Sequence, residues 1–104
     1  MKRRENDRNL CAELLTIRWT DSDGQRQREV ATLEDISRTG ACLQLDQSIP
    51  ADTAVSIQYP NGEYTGKVRY CTVNEIGYLL GIAFDAGHRW SKKHFQPSHL
   101  FELH

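Results

Sequence analysis

The sequence predicts an all-β chain, a six-stranded antiparallel β-barrel with a short C-terminal helical segment. Three observations predict it. Apolar residues recur at every second position in short runs, as they do when one face of a strand is buried and the other is wet. Clusters of Gly, Pro, Asn and Asp separate those runs at short intervals, as turns do between paired strands. No long segment carries the apolar period of a helix, and there is no internal repeat, so a small closed sheet is the simplest architecture.

The first strand spans Leu10 to Trp19. Leu15, Ile17 and Trp19 alternate with Thr16 and Arg18, whereas Leu10, Ala12 and Leu14 have the opposite parity. That switch predicts a bulge or bend at Leu14-Leu15. Thr20 to Gly24 is a turn by composition, and Arg26 to Ile36 returns as the second strand. Ala41, Leu43 and Leu45 form a third, before a loop containing Pro50. Val55, Ile57 and Tyr59 form a fourth, ended by Pro60-Asn61-Gly62, which holds the favoured Asn-Gly hairpin pair. In the fifth, Tyr64, Val68 and Tyr70 alternate with Thr65, Lys67 and Arg69, which predicts that all three apolar residues face inward. Tyr78, Leu80, Ile82 and Phe84 make the sixth, with Gly81 and Ala83 on its other face. The stretch from His88 to Phe95 has room for one or two helical turns before Pro97. Trp90, Phe95, Leu100, Phe101 and Leu103 are apolar enough to plug an open end of the barrel.

Composition bounds the function. The chain has 104 residues, 38% hydrophobic and 26% charged, which fits one globular domain. Residues 1–9 read as a flexible N-terminal arm, 10–85 as the barrel and 86–104 as a C-terminal cap. A net charge of −1 disfavours a general nucleic-acid binder, so no DNA or RNA partner is expected. No apolar run approaches membrane-spanning length, and the basic start Lys2-Arg3-Arg4 lacks the apolar stretch of a signal peptide. No membrane partner is expected, and the expected compartment is the cytoplasm. Cys11, Cys42 and Cys71 are odd in number and widely spaced, so they read as small strand residues in a reducing cell. His88, His94 and His99 lack a compact ligand spacing, and no metal is expected. Nor is there a nucleophile elbow, a phosphate loop or a dinucleotide fingerprint, so no catalytic residue and no cofactor is expected.

Two polar clusters remain. Asp35-Ile36-Ser37-Arg38-Thr39-Gly40 lies between the second and third strands. Its carboxylate, hydroxyl and glycine suit either a self-bonded turn or a ligand site, and Asp35 and Ser37, two apart, point to the same side. Arg4-Glu5-Asn6-Asp7-Arg8 lies in the arm. In an antiparallel meander an arm entering strand one lies near the end of strand two, which brings guanidinium groups to the turn.

Together, Arg-x-x-x-Arg at 4–8 and Asp-x-Ser-x-x-Gly at 35–40 resemble the paired motifs of the PilZ domain family. Tyr78-Leu79-Leu80-Gly81-Ile82-Ala83-Phe84 looks like that family's last barrel strand. The resemblance implies a barrel that binds the bacterial second messenger cyclic di-GMP. It implies contacts from Arg4 and Arg8 in a wrapping arm, from Arg3 just before them, and from Asp35, Ser37 and Gly40 in the turn. The chemistry suits that ligand: Arg forks onto phosphate, pairs with guanine O6 and N7 and stacks on bases. Glu5 and Asp7 depart from it. A carboxylate about 5 Å from a phosphate is repelled by roughly 3 kcal/mol at an effective dielectric of about 20, before screening. Asn9 stands where many relatives have an apolar residue, which predicts a poorly anchored arm. The resemblance further implies an unidentified downstream protein and signalling by a ligand-induced surface change, in a monomer or weak dimer. The alternative is a non-binding adaptor that acts by protein contact. A third reading makes Tyr59, Tyr64 and Tyr70 a stacking platform for single-stranded nucleic acid.

Overall fold

The structure, a computed structural model, describes residues 8–102. Its strands are β1 (Asn9–Thr20), β2 (Arg26–Ser37), β3 (Gly40–Leu45), β4 (Ala54–Tyr59), β5 (Gly62–Asn74) and β6 (Gly77–Phe84). They run β2-β3-β6-β5-β4-β1 around the wall, and the β1–β2 pairing closes it into a six-stranded antiparallel barrel. A two-residue strand, β7 (Phe101–Glu102), pairs with Asn9 and Leu10.

Period-2 alternation builds the core as the sequence predicts. Leu15, Ile17 and Trp19 of β1 pack with Leu33, Leu43, Ile57, Val68, Leu80 and Ile82 in one apolar core. Ile49, from the loop after β3, is fully buried among them. Leu43 alone would cost about 2–5 kcal/mol to truncate to Ala, so this core dominates the stability.

Several local expectations are corrected. Leu14-Leu15 holds no bend. The irregularity falls between Leu10 and Glu13, where Leu10 pairs with Asp35 and Glu13 with Leu33. Parity misled because Leu10 and Leu14 are outward, 46% and 67% exposed, while polar Asn9 and Glu13 take the inward side. Asn9 is buried and its Nδ2 donates to Ile36 O at 3.1 Å, so it pins the start of β1 to β2, while the arm before Arg8 lies outside the described residues. In the β4–β5 hairpin Tyr59 pairs with Gly62, so Pro60-Asn61, not Asn61-Gly62, forms the turn.

The helical segment reduces to a single turn, in which the N–H groups of His94 and Phe95 both donate to Ser91 O, at 3.1 and 3.2 Å. Pro97 follows too soon for a second turn, and one turn seldom pays its nucleation entropy. Trp90 and Phe95 still reach the core, and Trp90 Nε1 donates to Phe95 O at 2.8 Å. Phe101 is exposed instead of plugging the barrel, and Leu103 lies outside the described residues. The tail then lies along β1, where Ser98 donates through N and Oγ to Glu13 Oε1, both at 2.9 Å. Among the described residues no helix is long and apolar enough to cross a membrane.

Candidate functional site

Near the end of β2, Leu33 pairs with Leu43 but Asp35 pairs with Cys42, so two steps of β2 match one of β3. This β-bulge at Glu34 resets the parity. Leu33 and Ile36 both point inward, and Asp35 and Ser37 together face the outside of the barrel. Regular pairing would have aimed the carboxylate into the core.

Ser37 pairs with Gly40 across a two-residue turn, Arg38-Thr39, in which neither residue has positive φ. Neighbours brace it: Phe84 N donates to Thr39 O at 2.9 Å and Trp90 N to Arg38 O at 3.0 Å. Ser37 Oγ donates to Gly40 O at 3.4 Å, a long bond that a better acceptor can replace. Gly40 has ordinary negative φ, and its glycine requirement is packing: a Cβ there would stand 2.5 Å from Ile82 O of β6.

A second bulge shapes the facing strand. Val68 pairs with Ile82 and Tyr70 with Gly81, which leaves Arg69 as the extra residue of β5. Beyond it the parity flips, and Tyr70 lies outside with 39% exposure, contrary to the inward expectation. Its ring lies across Gly81, where a built Cβ would fall inside it, and its hydroxyl is 3.7 Å from Cys42 Sγ. Tyr64 is buried, in an aromatic row with Tyr59 and Phe84 at centroid spacings of 4.9 and 4.8 Å, so Tyr59, Tyr64 and Tyr70 form no common platform.

The two bulges enclose a cleft of about 360 Å³ on the outer wall. Gly40, Cys42, Gly81 and Ala83 give it a floor of small residues; Arg8, Asp35 and Ser37 stand on one side and Arg69 and Tyr70 on the other. Arg8 Nη1 lies 3.9 Å from Asp35 Oδ2, with Arg8 66% and Asp35 16% exposed. Burial raises the Asp35 carboxyl pKa more than the Arg8 guanidinium lowers it. The neighbouring thiols are quiet: burial and nearby carboxylates push Cys11 up to about 12, and burial raises Cys42.

Of the predicted site residues, Arg8, Asp35, Ser37 and Gly40 come together here. Arg3 and Arg4, with Glu5 and Asp7 between the motif arginines, lie outside the described residues. Arg69 and Tyr70 also line the cleft, and a bulge inside an apparently clean alternation hides them from a sequence reading. Gly81 was the available signal, because a glycine within a strand marks a bulge or a close approach. His88 Nε2 lies 3.3 Å from Thr65 Oγ1 and His94 Nδ1 3.4 Å from Ser91 Oγ, and no metal-binding cluster occurs among the described residues.

A family model for the PilZ domain matches residues 2–96. The chain belongs to the PilZ domain family. No curated protein matches it. PilZ domains are receptor domains and not catalytic ones; in general they bind cyclic di-GMP and act with partner proteins. In this PilZ domain the motif turn is carried on the barrel wall by the β2 bulge. The β5 bulge adds an aromatic face opposite it. Tyr70→Ala should weaken ligand binding about tenfold, one stacking contact's worth, with a melting temperature within a few degrees of wild type. An unchanged affinity in a ligand titration would show that Tyr70 only covers Gly81.

Proposed function

We propose that this PilZ domain is a cyclic di-GMP receptor whose ligand occupies the outer-wall cleft between Asp35 and Tyr70. The observation that carries the reading is the outward Asp35 carboxylate beside the Arg8 guanidinium, over a floor of small residues. Ionised Asp35 accepts from the guanine N1–H and N2–H groups, a donor pair that adenine lacks. Arg8 meets a phosphate or the guanine O6/N7 edge. Ser37 Oγ leaves its long bond and donates to the ligand. A base stacks on the Tyr70 ring, which lies across Gly81 in the floor. Arg4, one motif spacing before Arg8, supplies the second guanidinium, and the bound nucleotide changes the surface offered to a downstream protein.

Asp35 gives this binding a pH dependence. Its folded-state pKa is raised, so the stability it contributes is present below the ordinary carboxylate range and is lost as pH rises through the raised value. Ligand binding has the opposite sign, because it needs the ionised form. Affinity should fall as pH drops through the raised Asp35 pKa, and the fall should be absent in Asp35→Asn. A wild-type affinity that stays flat across that range would place the carboxylate outside the contact.

Addition of cyclic di-GMP to ¹⁵N-labelled protein tests the placement. The largest amide shifts should fall on Asp35–Cys42, Arg69, Tyr70 and Gly81. Shifts confined to other strands would overturn it.

A further inference from the structure

We propose that the outer face of the β1–β2 hairpin, carrying Arg18, Arg26 and Arg28, is a docking surface for an acidic segment of a partner protein. It is independent of the ligand cleft: Arg28 is seven residues from Asp35 along β2, roughly 23 Å at strand rise.

Arg18 and Arg28 are direct cross-strand partners, and both are exposed. Like charges directly opposite each other destabilise a sheet. Arg26, two residues along β2, shares their face. Among the described residues none of the three has a hydrogen bond or ion pair to an acidic group. Nothing in the fold rewards this arrangement, whereas an acidic partner would. The row continues across the wall without further cations, because Arg18 pairs with Ser56 and Ser56 with Thr65, whose hydroxyls are held by Glu63 and His88. A groove of about 570 Å³ runs along it, with Trp19 and Val55 in its lining and Asp85 at the margin. Three cations at one end and a carboxylate at the margin suit a segment with a short acidic run. A uniform polyanion such as nucleic acid would meet Asp85, and Glu63, which Ser56 holds.

The test uses the full chain and a capped, fluorescein-labelled hexaglutamate peptide, read by anisotropy at low and physiological salt. Wild type should bind at low salt and weaken as salt rises. Arg18→Glu with Arg28→Glu should weaken binding at least about tenfold, while Lys93→Glu leaves it unchanged. Arg18→Glu alone should raise the melting temperature by a few degrees, because it turns a repulsive pair into an attractive one. A loss of binding in that more stable protein is a docking effect, not unfolding. No anisotropy change with wild type at low salt, equal losses in Lys93→Glu, or a lower melting temperature in Arg18→Glu would overturn the proposal. So would tighter binding of a labelled oligothymidine than of the peptide.

Discussion

Asp35→Asn should reduce cyclic di-GMP affinity by at least about a hundredfold and leave the barrel as stable as before, or more so, at neutral pH. The first half follows from chemistry. The carboxylate offers two acceptor oxygens to two guanine donors, and hydrogen bonds to charged groups are worth about 1.5–3 kcal/mol each. An amide of the same shape keeps one acceptor and turns a donor toward a donor. The second half follows from burial, which makes the ionised side chain a cost to the folded state that Arg8 does not offset. Arg8, 66% exposed, stays solvated when its partner loses charge. Calorimetric titration and urea denaturation at pH 7 check the two halves separately. Intact affinity would remove Asp35 from the site. A large drop in stability would mean that Arg8 and Asp35 form a structural ion pair.

Gly40→Ala should destabilise the barrel by about 1–3 kcal/mol, and ligand binding should fall with it. The glycine of the motif suggests room for a ligand, but here its missing Cβ would be directed at Ile82 O, 2.5 Å away. The obstruction is backbone and cannot rotate aside. An added methyl must part β3 from β6, and Ser37, which pairs with Gly40, moves with it. Urea denaturation separates the two roles: unchanged stability with lost binding would restore a purely ligand-clearing glycine.

The barrel was legible because its signal is repeated. Leu15, Ile17, Leu43, Ile57, Leu80 and Ile82 each obey a two-residue period, and any one strand supports the others. Bulges were not legible in the same way. The alternation around Tyr70 looked clean, yet one unpaired residue, Arg69, turned the tyrosine from the core to the cleft. At β1 the exposed Leu10 and Leu14 imitated a parity switch that the backbone does not make there. The site shows the same division. Asp35, Ser37 and Gly40 could be read as a group because they are close in sequence. Arg8 could be joined to them because an arm entering β1 meets the end of β2. Arg69 and Tyr70 come from a strand two places away in the wall from β3, and only the pairing of Cys42 with Gly81 and of Gly81 with Tyr70 brings them in. That pairing depends on register, and one extra residue in a bulge is enough to change it.

Isothermal titration of the folded protein with cyclic di-GMP, at two temperatures so that a vanishing enthalpy at one is not taken for silence, tests the central claim most directly. A saturable heat that is lost in Asp35→Asn and in Arg8→Ala is the predicted result. No heat at either temperature, from protein whose circular dichroism shows an intact β-barrel, would contradict it.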